Sequence, residues 1–262
     1  MVTRYILDKD AARVAAHYNV PLPEAFPPRY NIAPSQPVPV IRAGREGLRE
    51  CVLMRWGFVP GWDRQGTWFK NAVVNIRSET APSKASFRGA WARRRCLFPV
   101  TGFYEWLPSS SEAIGQTKAP SSSEAVGPVK NPSGSGSKKQ PYLLVLTEEK
   151  PIFSIAGLWE HWMGEDGSEM ETAATLSQVP SGTIAHFHHR SPVIVPPGRY
   201  QDWLHADERD SALLREIVRT PAPDFVFWPV HPRVNSWKET GAHLIEPIPL
   251  EKANESSQGE LF

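Results

Sequence analysis

Residues 96–106 read "CLFPVTGFYEW". Aromatic and β-branched side chains fill this stretch, and Glu105 is its only charge. Such a segment fits a pleated, half-buried or buried strand. Similar stretches lie on both sides of it. "VPVIRA" (38–43) and "CVLMRWGFVP" (51–60) read as strands around a turn at Gly44 to Gly47. "PYLLVL" (141–146), "IFSIAGLWE" (152–160), "TAATLS" (172–177), "SPVIV" (191–195) and "DFVFWPV" (224–230) are further strands. Helical spacing is rarer. Ala11, Val14, Ala15 and Tyr18 recur on one face of a helix from Asp8 to about Tyr18, with Asp8 or Asp10 as its cap. "SKASFRGAWARRR" (83–95) reads as a basic helix with Phe87 and Trp91 on one face. "GRYQDWL" and "DSALLREIV" also read as helices, the second capped by Asp210. Many short strands with few helices predict an α+β fold, a single domain on a mainly antiparallel, barrel-like β-sheet with peripheral helices.

Residues 108–140 break this pattern. "PSSSEAIG" at 108 recurs as "PSSSEAVG" at 120, and "NPSGSGSKK" follows. Ser, Pro, Gly and Lys without apolar periodicity bury too little to offset ordering entropy, so a flexible insert within one domain is expected. The domain is expected to span 1–250, with a disordered tail at 251–262.

The apolar runs are far too short to span a bilayer, and no basic segment followed by an apolar one marks a signal peptide. Cys51 and Cys96 form no CxxC pair, which fits a reducing, cytoplasmic setting. The net charge is +1, yet residues 1–107 carry 16 Lys and Arg against 8 Asp and Glu, and the remainder 13 against 20. A basic half suggests an anionic partner, although chance sorting of surface charge gives the same count. The ten tryptophans suit base stacking on a single strand, and equally suit an ordinary core.

Several polar groups stand out. Glu105 in its aromatic setting is a candidate proton-transfer group with a raised pKa; the plain alternative is a Glu paired with an arginine. "NIRSET" places Asn75, Arg77 and Glu79 on one face of a strand. "RYNIAPSQ" adds Arg29, Asn31 and Gln36 in a proline-bounded loop. "AHFHHRSP" (185–192) holds three histidines. On a strand His186 and His188 share a face and His189 points away. No HExxH and no nearby carboxylate accompany them, so no metal is expected. They are either inert loop residues or include one proton carrier.

In order, "RYNIAPSQ", "MRWGFVPGW", "NIRSET", "RRRCLFPVTGFYEW", "FSIAGLWE", "HHRSPVIV" and "RVNSW" resemble the motifs of the SOS response-associated peptidase family, the abasic-site processing proteins. The resemblance covers about residues 1–240, interrupted by the insert. It implies a single α+β domain that binds single-stranded DNA at abasic sites. In that family an N-terminal cysteine, exposed by loss of the initiator Met, attacks the sugar aldehyde. Its amine forms a Schiff base, and its thiol closes a thiazolidine that crosslinks protein to DNA. Members are also described as thiol autopeptidases. Carried over by motif, Asn75 and Glu105 match the catalytic asparagine and glutamate. His188 matches the histidine of an H-x-R-x-P pattern, as a proton shuttle paired with Glu105. Arg4, Arg77 and Arg190 match phosphate-contacting positions, and Trp68 and Trp106 sit where bases stack. No cofactor is implied, and a monomer associated with the nucleoid is expected.

Position 2 departs from the family: it is Val2, where the family has Cys. Val2 has no nucleophilic side chain, so thiazolidine formation and a thiol peptidase are excluded there. Removal of Met1 by an aminopeptidase would expose the Val2 α-amine, with an ordinary pKa of about 7.7 to 8.0, and an amine suffices for a Schiff base and strand cleavage by β-elimination. The competing expectations are a non-catalytic module for single-stranded or damaged DNA, and a metal-dependent hydrolase. The tail "QGELF" resembles the bacterial sliding-clamp-binding pentapeptide, with Gln258, Leu261 and Phe262 as its pocket-filling residues.

Overall fold

The computed structural model describes residues 1–108, 139–207 and 210–249. Nearly all of the insert and the whole tail, including Gln258, Leu261 and Phe262, lie outside the described residues. In chain order the elements are β1 (Tyr5–Leu7), α1 (Ala11–Tyr18), β2 (Arg29–Ile32), β3 (Pro37–Ala43), β4 (Arg49–Trp56) and β5 (Asn75–Arg77). There follow α2 (Arg88–Arg93), β6 (Arg95–Val100), β7 (Gly102–Pro108), β8 (Lys139–Val145), β9 (Phe153–Met163) and β10 (Glu169–Gln178). The chain ends with β11 (Ser191–Pro192), β12 (Ile194–Val195), α3 (Tyr200–His205), α4 (Ser211–Arg219) and β13 (Val226–Pro229). Short 3-10 turns join several of these. No described helix is long and apolar enough to cross a membrane.

The expected barrel is present. β4, β3, β6, β9 and β10 pair in succession, and β10 returns to β4 at Thr172 and Ala173, which closes the ring. The closing pair is parallel and the other four are antiparallel. β5 extends the ring alongside β10, with Asn75 opposite Thr175. A second sheet, ordered β13-β8-β7-β1-β2, is antiparallel throughout. β6 is buried along its whole length because it is covered on both sides, so its sequence shows no polar alternation.

The stretch "CLFPVTGFYEW" is two strands rather than one. β6 belongs to the barrel and β7 to the second sheet, with Thr101 between them. Two local contacts fix the changeover. Thr101 Oγ1 accepts from the Asp8 N–H at 3.1 Å, and Thr101 N–H donates to Ile6. Gly102 then passes so close to β8 that a Cβ there would lie 2.9 Å from Val145 Cγ1. A larger residue would collide with Val145 and Ile6 of the same sheet.

Other expectations are corrected in detail. The basic helix is only Arg88–Arg93, because residues 77–88 spend their backbone hydrogen bonds on successive tight turns. Its aromatics serve the core: Phe87 packs on Phe58 and Trp91 on Trp203. Asp10 caps α1 by accepting from Arg13 N–H. Asp210 stands at the cap position of α4, but its carboxylate accepts from Asp207 N–H instead. "RYNI" is strand β2, not loop. The histidine stretch is a 3-10 turn and bend before β11, so no strand face orders His186, His188 and His189.

Candidate active site

Four segments meet at the start of the chain: residues 1–4, β5, β7 and the bend at 187–190. β7 alternates sides, so Glu105 faces inward between Tyr104 and Trp106 and is 4% exposed. The Met1 α-amine donates to Glu105 Oε1 at 2.7 Å. Burial pushes the Glu105 carboxyl above its ordinary value and the ammonium pulls it back less strongly. Burial likewise lowers the Met1 ammonium pKa, against the attraction of Glu105. Both shifts favour the neutral forms, because desolvation of each charge outweighs their mutual attraction.

Asn75 holds the next residue. Its Nδ2 donates to the Val2 carbonyl at 2.7 Å, and its Oδ1 accepts from Thr175 Oγ1 at 2.8 Å. The parallel pairing of β5 with β10 sets Thr175 directly opposite Asn75. The Val2 side chain points the other way and is part of the main apolar core, 1% exposed.

His188 accepts the Arg190 N–H on Nδ1 at 2.9 Å, and its ring stacks on His189 at 4.2 Å. An accepting Nδ1 leaves the proton of the neutral ring on Nε2. Burial, then the N-terminal ammonium, then His189 lower the His188 pKa to about 4. The imidazole is therefore neutral at pH 7. Among the described residues no hydrogen bond joins His188 to Glu105; what they share is the Met1 amine, bonded to one and repelling a proton on the other.

The expected phosphate-contacting arginines differ from one another. Arg77 is exposed on β5. Arg190 is 9% exposed and already committed: it grips Glu79 with two bonds of 2.8 and 2.7 Å and also reaches the Ser177 carbonyl. That guanidinium in turn lowers the Glu79 carboxyl pKa. Glu79 lies beyond the end of β5, so the one-face grouping with Asn75 and Arg77 does not form. Arg4 donates to Asn31 Oδ1 and to the carbonyls of Val234 and Asn235. Trp106 Nε1 donates to Asn235 Oδ1 at 2.8 Å. Trp68 packs edge-on to the exposed Trp62, with ring centres 5.6 Å apart.

Thus Val2, Asn75 and Glu105 come together around the α-amine with His188 nearby, while Arg4 and Trp106 brace an adjoining loop. Glu79 supports the site by holding Arg190, and Thr175 and Asn235 support it without having been marked in the sequence. "TAATLS" contains Thr175, but nothing local marks it, since its role depends on which strand lies opposite.

One family matches most of the chain. The model of the SOS response associated peptidase (SRAP) family matches residues 1–237, and the chain belongs to that family. Relatives include the abasic site processing protein YoqW of Bacillus subtilis, 28% identical and aligned over 94% of this chain and 99% of its own. YedK of Escherichia coli, also named an abasic site processing protein, is 25% identical, with 84% of this chain and 85% of its own covered. HMCES of chicken bears the same description, at 26% identity over 86% of this chain and 68% of its own. A crystal structure of a Bacteroides thetaiotaomicron protein superimposes with a TM-score of 0.73 at 19% identity, covering 94% of this chain and all of that one. A Bordetella bronchiseptica protein gives 0.65 at 24% identity over 87% and 99%. Those two likenesses establish the fold.

Proposed function

We propose that this protein acts in the DNA damage response by engaging single-stranded DNA at abasic sites, through imine chemistry at its N-terminal α-amine. The carrying observation is the Met1 amine held 2.7 Å from buried Glu105. The names of its relatives support the substrate class. Burial keeps a larger share of the amine unprotonated near neutrality than for a free terminus, and an unprotonated amine is the nucleophile.

The amine adds to the sugar aldehyde to give a carbinolamine. Loss of water gives the imine, and a protonated Glu105 supplies the proton for the departing hydroxyl. Removing the proton next to the imine carbon would then break the bond to the 3′ phosphate oxygen and cut the strand. Glu105 as carboxylate, or neutral His188, would take that proton. Asn75 fixes the backbone at position 2, so the amine stays put. Removal of Met1 would transfer the role to the Val2 nitrogen, whose carbonyl Asn75 already holds. Because Val2 offers no thiol, the adduct stays an imine and is reversible. Arg77, Arg4 and Arg190 are the proposed phosphate side of the site and Trp68 and Trp106 its base side. Arg190 must release or share Glu79 to serve there. Such work locates the protein with DNA, in the nucleoid. The Gln258–Phe262 pentapeptide is a proposed sliding-clamp ligand.

The test is a denaturing gel and intact mass after incubation with an abasic single-stranded oligonucleotide, with peptide mapping of the reduced conjugate to identify the reacting amine. A conjugate is expected only with borohydride. Glu105→Gln is expected to slow its formation by about 10²-fold. Val2→Cys, once Met1 has been removed, is expected to give a borohydride-independent crosslink. Binding without any conjugate would favour a second reading, a non-catalytic DNA-binding module, which the apolar burial of Val2 also fits.

A further inference from the structure

Residues 231–239 form a loop beside the candidate site, and its exposed side chains have no part in the chemistry above. Three side chains hold this loop by its backbone and one amide. Asn31 Nδ2 donates to the carbonyls of Val234, Ser236 and Glu239 at 3.3, 2.9 and 3.0 Å. Arg4 donates to the carbonyls of Val234 and Asn235, and Trp106 to the Asn235 side chain. Internal turns add Ser236 N–H to Arg233 and Glu239 N–H to Ser236. A loop with its carbonyls bonded this way cannot readily fold its outer side chains back into the core.

Trp237 is the outer side chain that matters. It is 58% exposed, and Lys238 Nζ stands 6.0 Å from its ring centre. Arg233 is exposed on the same loop. Arg4, which grips the loop, is three residues from Met1, and three extended residues span at most about 11 Å. The loop therefore starts within a few nucleotide lengths of the α-amine. The Lys238 cation stands over one face of the exposed Trp237 indole and leaves the other face for a base, with the charge near the adjoining phosphate.

We propose that Trp237 is a stacking platform for a nucleobase flanking the lesion, and that Lys238 contacts the neighbouring phosphate. This rests on the single-stranded DNA function above. Arg4, Asn31 and Trp106 then act as positioning residues that hold the platform in place.

The experiment uses the full chain and abasic single-stranded oligonucleotides carrying 2-aminopurine at successive positions on either side of the lesion. Affinity is read by anisotropy and stacking by quenching of the base analogue. The native protein is expected to quench at one flanking position. Trp237→Ala is expected to abolish that quenching and weaken binding roughly tenfold. Trp237→Phe keeps a ring and is expected to retain most of both. Lys238→Ala is expected to lower the salt dependence of binding by about one ion, as loss of one phosphate contact does. The side chain is exposed, so Trp237→Ala is expected to melt like the native protein. Native-like affinity and quenching in Trp237→Ala would overturn the platform and leave DNA binding standing. Failure of the native protein to bind any single strand would overturn the function and the platform together.

Discussion

At the scale of single residues, the site depends on burying a charge next to an opposite charge. Glu105 and the Met1 ammonium are 2.7 Å apart, and burial opposes the charged form of both. The pair is thus easily neutralised by one internal proton transfer, which is what an amine nucleophile beside a general acid requires. His188 shows the same effect with one sign. Its pKa falls from the ordinary 6.5 to about 4, so the folded state resists a proton that the unfolded chain accepts. Its contribution to stability is complete above pH 6.5 and is lost as the pH falls toward 4. His188→Asn can keep an acceptor for the Arg190 N–H without titrating. Thermal melts from pH 7 to pH 4 are expected to show the native protein losing stability relative to this variant. Parallel curves would mean that His188 is protonated as readily in the folded state as in the unfolded chain. The Val2 side chain was legible only as a missing nucleophile. That it fills an apolar core position depends on neighbours far along the chain.

At the scale of elements, β6, α2 and α3 are tied by one side chain. Arg95 is 2% exposed and donates to the carbonyls of Trp91, Ala92, Trp203 and Ala206. Those carbonyls lie at the C-terminal ends of two short helices, where unpaired C=O groups and the helix dipole favour a cation. Burial lowers its pKa to about 10, still far above neutrality, so the charge persists. Arg95→Met is expected to leave these carbonyls unpaired and cost about 3 kcal/mol in urea unfolding. Arg95→Lys is expected to recover little, because one ammonium cannot span the same fork. A loss under about 0.5 kcal/mol, the range of ordinary surface substitutions, would show that water or backbone shifts satisfy the helix ends. In the sequence, Arg95 was one of three successive arginines at the end of a basic helix. Its inward direction follows from β6 starting there, which no local pattern revealed. The helices fared similarly. α1 was readable because its capping aspartate and apolar spacing are local, whereas α2 was read too long because turns and helix share the same residues.

At the scale of the whole molecule, β9 is a central barrel strand, paired with β6 on one side and β10 on the other. Gly157 sits at this crossing, opposite Cys96 and Thr175. A Cβ there would lie 2.5 Å from the Phe98 ring and 2.8 Å from the Ala174 carbonyl, so only glycine fits. The strands that flank the insert, β7 and β8, belong to the second sheet and not to the barrel. β7 and β8 pair up to Pro108 and Lys139, directly opposite each other. Replacing 109–138 with Asn-Gly is therefore expected to preserve the fold. It is expected to raise stability by up to about 2 kcal/mol through a shorter closed loop. A large loss on melting would show that the excised residues pack against the domain. The result also tests whether 1–250 is one domain, with an insert that only spaces two strands.

The sequence by itself determined the α+β class, most of the longer strands, the capped first helix and the family to which the chain belongs. These rest on local signals: β-branched and aromatic runs, a capping aspartate, and motifs in fixed order. It also marked Asn75, Glu105 and His188 as the polar set. Only the tertiary structure decided that "CLFPVTGFYEW" divides between two sheets, that Arg190 is held by Glu79, and that Arg4 and Trp106 brace a loop presenting Trp237. Each of those outcomes is a contact between residues 111 or more positions apart, or a strand assigned to one sheet rather than another. Such contacts are fixed by closure of the barrel and by competition for buried hydrogen-bond partners, and neither leaves a trace in local composition.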